Sequence, residues 1–207
     1  MALRRIPYDR LEPIIRKHLS TEEDEPTTRL IKDLRVAKDR GYLTRSELEA
    51  VCHWKSPRAI RHIRSNSPGD VRVATKVALG TRSEQRRLNT LTQLKGVSVP
   101  MASAVLMLLN PRRYGVIDIR VWQLLHKLGT VRKNAQGVGF SFKNWFQFLV
   151  IIRYFSKKLR VKARDIERTL FNVHKVYQAD RLYKWGKALP NNQMQRTSAA
   201  QATGARR

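Results

Sequence analysis

Negative charge is scarce in this chain: 16 Asp and Glu stand among 207 residues against 42 Lys and Arg, a formal net charge of +26 at neutral pH. An excess of that size repels itself unless a polyanion neutralises it. Each phosphate paired with Lys or Arg also releases condensed counterions and so drives binding. Nucleic acid is therefore the first partner expected and acidic lipid the second. Cysteine is scarcer still, since Cys52 is alone. That excludes an intramolecular disulfide and a four-cysteine iron–sulfur cluster. Long apolar runs are missing too. "MASAVLMLL" and "FLVII" fall well short of the roughly 20 residues that a membrane-spanning helix needs. The opening "MALRRIPYDR" has basic residues but no apolar stretch after them, unlike a secretory signal. The five His residues show no metal-ligand spacing, so no metal or other cofactor is expected. These absences point to a soluble, monomeric protein of the cytoplasm, nucleoid-associated in a prokaryote, with no membrane partner.

With 42% hydrophobic residues the chain can still bury a core. Helix starts are marked chemically. Thr44 with Glu47, and Thr81 with Glu84, have the spacing of a capping box. Ser56–Pro57 and Ser67–Pro68 each place a hydroxyl before a proline suited to the first helical position. Apolar residues recur at helical intervals in Leu11, Ile14, Ile15, Leu19 and again in Leu30, Ile31, Leu34, Ala37. The pattern predicts an all-α protein of nine or ten helices. The segment from Phe140 to Leu159 is expected to be the most buried. From 191 to 207 apolar periodicity stops, and the segment reads as a disordered tail. The tail carries three of the 42 basic residues and no acid, which leaves +23 on residues 1–190. The basicity belongs to the body.

Within that body one stretch carries chemistry. In "LKGVSVP" the chain leaves one helix and enters another within a few residues, and Gly96 is where a left-handed turn costs least. The amides of Gly96, Val97, Ser98 and Val99, with the helix start behind them, suit a phosphate. Lys95 stands beside them. Asn110–Pro111 ends the helix, and Asp118 follows at the head of the next one, in "VIDIRVW". An aspartate there caps a helix in the ordinary way. The macrodipole at that helix start also favours the charged form of the carboxylate.

The order and spacing of Leu94, Gly96, Val97 and Ala102, then Ile117, Asp118, Ile119, Arg120 and Val121, resemble the helix-hairpin-helix DNA glycosylase superfamily of base-excision repair, of the endonuclease III type. The resemblance covers about thirty residues, the hairpin over 94–109 and the aspartate segment over 116–128. It implies two small helical lobes, duplex DNA as partner and Asp118 as the catalytic carboxylate. It also implies hydrolysis without lyase chemistry through the hairpin helix. Pro100 occupies the position where bifunctional members carry their Schiff-base lysine, so that position offers no amine. Ser98 replaces the usual second glycine, Arg120 stands where histidine is frequent, and the cysteine cluster of some members is absent.

Other residues are assigned by charge and shape. Lys55, Arg58 and Arg61, in "WKSPRAIRHIR", form a basic track for backbone phosphates, and Arg112 and Arg113 lie on the loop between hairpin and aspartate. A flipped base needs an aromatic wall, for which Trp122, Tyr114 and Trp54 are candidates. The expected function is a monofunctional or atypical DNA N-glycosylase for damaged or mismatched bases. Two rivals stay open: a DNA-binding module that kept the fold and lost the chemistry, and a basic RNA-binding helical protein.

Overall fold

The computed structural model describes residues 3–179 and 182. The segment 191–207, read above as a tail, lies outside the described residues. Eleven α-helices form within them: α1 (Leu11–His18), α2 (Glu25–Asp33), α3 (Arg35–Arg40), α4 (Arg45–Lys55), α5 (Ile60–Arg64), α6 (Pro68–Gly80), α7 (Glu84–Thr92), α8 (Val99–Leu109), α9 (Ile119–Lys127), α10 (Phe142–Leu159) and α11 (Ala163–Tyr177). Leu34 ends α2 and begins α3. Taken as one bent helix, this pair brings the number to ten. No strand forms among the described residues. One antiparallel bridge, Leu3 with Gln178, joins the two ends of the described chain.

The start signals act largely as their chemistry dictates. Thr44 Oγ1 accepts the Glu47 amide at 3.2 Å while the Glu47 carboxylate accepts the Thr44 amide at 2.7 Å, closing the capping box of α4. Ser67 Oγ accepts the Asp70 amide at 3.0 Å, with Pro68 as the first residue of α6. Two starts differ from expectation. Ser83, not Thr81, caps α7 by accepting the Arg86 amide at 3.2 Å. The Glu84 carboxylate is taken by arginines instead of closing a box. Ser56–Pro57 begins only a short 3-10 turn, and the Ser56 hydroxyl caps nothing.

The centre of the fold is α8, not α10. Every residue from Met101 to Leu109 is buried, because this helix carries no charge on any face and α2, α3, α4, α7 and α10 all pack on it. In α10 an apolar run longer than one face is wrapped round the helix. Trp145, Phe148, Leu149, Ile152 and Phe155 turn inward, while Phe146, Val150 and Tyr154 stay exposed. On one side α4 packs on α5, α6 and α8; on the other α11 packs on α1, α9 and α10. The site described next lies where the heads of α8 and α9 meet the end of α4.

Candidate functional site

The turn between α7 and α8 is built as its glycine requires. Gly96 has φ +80°, and a methyl group there would lie 2.9 Å from His62 Cβ and 3.2 Å from the Ile63 amide nitrogen. Both the left-handed backbone and the close approach demand glycine. Asn66 holds the turn from the other side. Its Nδ2 donates to the Lys95 carbonyl at 2.9 Å and its Oδ1 accepts the Lys95 amide at 2.8 Å. Ser98 has φ −76° and ψ 169°. That is extended backbone open to any residue, so the missing second glycine strains nothing. Val97 is buried and its amide donates to the Leu94 carbonyl at 3.1 Å, so, against expectation, neither its side chain nor its N–H is offered to a ligand; Lys95 and Ser98 are exposed.

Past α8 the chain reverses at Asn110, whose carbonyl accepts the amides of Arg113 at 3.0 Å and Tyr114 at 3.1 Å. Residues 114–117 are buried and run back along α8. Ser103 Oγ, donating to the Pro100 carbonyl at 2.8 Å, accepts the Ile117 amide at 3.1 Å. The Val116 amide donates to Glu167 Oε2 at 3.3 Å. Burial pushes the Glu167 carboxyl up, and Arg164 beside it opposes the rise. Gly115 allows this close path, since a Cβ there would sit 2.7 Å from Glu167 Cβ. The segment thus delivers Asp118 to the first turn of α8.

Asp118 uses its two oxygens differently. Oδ1 accepts the Arg120 amide at 2.8 Å and caps α9, while Oδ2 accepts a hydrogen bond from Lys55 Nζ at 3.1 Å. The side chains of the pair are 18% and 17% exposed. Lys55 is the last residue of α4. It meets Asp118 instead of extending the basic track that its sequence neighbours suggest.

Both residues line a pocket of about 450 Å³, within the range of small-ligand sites. Its walls are the end of α4 with Lys55, Ser56 and Arg58, the head of α8 from Ser98 to Met101, the start of α9, and the loop 137–140. The loop is pinned from beneath: Trp122 Nε1 donates to the Asn134 carbonyl at 2.8 Å and Gln123 Nε2 to the Gln136 carbonyl at 3.0 Å. Val138 is 47% exposed on this loop, and among the described residues Phe140 is the pocket's one aromatic wall. Among the described residues Asp118 is the only acid in the lining.

Behind α9, His174 is fully buried. Its Nε2 lies 3.2 Å from Gln123 Oε1. The Gln123 amide nitrogen is already directed to Gln136, so this oxygen faces the ring and the imidazole is the donor. Burial, with Arg120 nearby, pushes His174 down to about 4; Asp118 opposes the shift.

The structure brings Lys55, Arg58, Ser98, Val99 and Asp118 to one pocket, with Gly96, Val97 and Lys95 in the adjoining turn. Arg61 is exposed on α5. It does not bring Arg112 and Arg113 there. They follow the far end of α8, about 15 Å from its head by helical rise, and Arg113 is paired with Glu84 at 2.9 Å. The three aromatic candidates are elsewhere as well. Trp122 is fully buried against Phe140, with ring centroids 5.5 Å apart. Tyr114 is stacked on Trp145 and donates to Glu84 Oε2 at 3.1 Å. Trp54 donates to Thr27 Oγ1 at 2.9 Å. Counting one turn onward from Asp118 fails because a cap side chain leaves the helix end, whereas Trp122 belongs to the stripe that faces the core. Phe140 and Val138 were missed. Their only sequence signal was an apolar pair interleaved with Gly137 and Gly139.

Compared with family models, curated proteins and solved structures, the chain matches none.

Proposed function

We propose that the protein is a DNA N-glycosylase of the helix-hairpin-helix type, removing damaged or mismatched bases from duplex DNA. One observation carries the reading: the head of α8, which directly follows the glycine turn, and Asp118, some twenty residues beyond that turn in sequence, line the same pocket. A phosphate held on the amides of Ser98 and Val99 leaves its nucleoside within reach of the carboxylate. Breaking the bond from base to sugar leaves positive charge on the sugar, and Asp118 stabilises that charge and orients the attacking water. Arg58, Arg61 and Lys95 are exposed cations for the flanking phosphates. Phe140 offers a face to a base turned out of the helix.

A second reading has one observation in its favour. Both Asp118 oxygens are already engaged, one in a cap and one by Lys55, as suits a DNA-binding module without chemistry. Asp118→Asn separates the two. The amide keeps the size and much of the capping while removing the charge. Duplex oligonucleotides carrying alkylated, deaminated, oxidised or mismatched bases are incubated with each protein, and alkali-sensitive sites are counted. Base release should fall by at least about 10²-fold in the variant, a loss on the order of 3 kcal/mol, with DNA affinity kept. Equal release by both proteins removes Asp118 from the chemistry; release by neither favours the binding module.

A further inference from the structure

Among the described residues Lys55 is the one amine in the pocket lining, and it is not disposed as a phosphate ligand. Its ammonium is drawn to Asp118 Oδ2 at 3.1 Å and its side chain is only 18% exposed. The backbone breaks immediately after it, at Ser56–Pro57, where α4 gives way to the 3-10 turn. That break lets the end of α4 point into the pocket. On the reading of this pocket as the site of base removal, the product left beside Asp118 is an abasic sugar, whose ring-opened form is an aldehyde. An amine and a carboxylate within hydrogen-bond reach of each other, facing an aldehyde, form a complete apparatus for imine chemistry.

We propose that Lys55 attacks the abasic sugar, giving the protein a lyase activity that the hairpin helix, with Pro100 at its second position, does not supply. The Lys55 ammonium passes one proton to Asp118, and the freed amine adds to C1′ of the aldehyde. The carbonyl oxygen takes that proton back from Asp118. The carbinolamine nitrogen, positive because its lone pair now bonds C1′, keeps the amine's two protons; one of them goes to the departing hydroxyl, which leaves as water while the nitrogen closes the double bond to C1′. The net change is ammonium plus aldehyde to iminium plus water. Asp118 then removes a C2′ proton made acidic by the neighbouring iminium; that electron pair ends as the C2′–C3′ double bond, and the C3′–O pair leaves with the 3′ phosphate. Water hydrolyses the imine and returns Lys55 with an unsaturated aldehyde. No oxidant or metal is required.

The test uses the full chain and a duplex in which an abasic site has been made beforehand by enzymatic removal of uracil, so it does not depend on base release by this protein. With borohydride present, a covalent protein–DNA adduct should form, and peptide mapping should place it on Lys55. Without borohydride, strands should break 3′ to the abasic site before any alkali step. Lys55→Arg keeps the cation opposite Asp118 but has no free amine. Adduct and strand breakage should both fall at least about a hundredfold in it, with its thermal unfolding compared with the wild type as a check on the fold. No adduct, or an adduct mapped to another lysine or the amino terminus, overturns the proposal even if base release is found. Mapping on the wild type decides the matter if the variant does not fold. A Lys55 adduct without base release from any lesion would leave the lyase standing and sink the glycosylase.

Discussion

Asp118 and Gly96 show how much a single residue decides here. A carboxylate at a helix start has two oxygens, and α9 needs only one of them. The other is what makes a chemical reading of the pocket possible. Gly96 is constrained twice, by its φ of +80° and by His62 Cβ at 2.9 Å from any added methyl. Gly96→Val should therefore cost about 2–3 kcal/mol of stability. It should also weaken DNA binding, measured by chemical denaturation and by anisotropy on a fluorescent duplex. Wild-type values in both would detach the turn from fold and function alike. His174 gives a pH test. Its folded value of about 4 lies below the ordinary 6.5, so between these the unfolded chain binds more protons. Stability should then fall as pH drops from about 6.5 toward 4. His174→Gln should flatten that part of the curve of Tm against pH. An identical slope in the variant would show that another group titrates.

At the scale of elements, the helices are held by a few polar hubs that the core alone does not explain. Glu84, in the first turn of α7, accepts from Arg87, Arg113 and Arg153, each at 2.9 Å, and from the Tyr114 hydroxyl. It thereby ties α7 to α10 and to the loop that begins the return toward Asp118. Burial alone would raise this carboxyl, but Arg113 and Arg153 outweigh it and hold it below its ordinary value. Glu84→Gln leaves the arginines facing one another and should cost about 2 kcal/mol, or roughly 4–8 °C in Tm. A carboxyl held low contributes stability above its unfolded value and loses it as pH falls through the folded one, so the deficit should shrink in acid. A deficit that stays constant from pH 7 to 3 would mean lost packing, not lost charge.

For the whole molecule, charge is the dominant property. A body of +23 with exposed cations beside the pocket should bind duplex DNA with affinity that falls by at least about 10²-fold between 50 and 200 mM salt. A flat response over that range would argue against phosphate contacts as the source of affinity. No helix among the described residues is long and apolar enough to cross a membrane.

The sequence by itself determined the helical class, the charge, and those features that depend on neighbours in the chain. The capping of α4 by Thr44 and Glu47 and the left-handed glycine at 96 are set within a few residues, where spacing and side-chain chemistry suffice. Asp118 as a helix cap was legible for the same reason. Only the tertiary structure decided what stands opposite. Lys55 lies 63 residues from its carboxylate and Asn66 lies 29 from the turn it holds, and no local pattern encodes such pairings. The aromatic candidates failed on the same ground, since burial depends on which neighbours cover a helix face. Trp122 and Tyr114 went into the core, while Phe140 came to the pocket because a glycine-rich loop anchored by Trp122 and Gln123 carried it there.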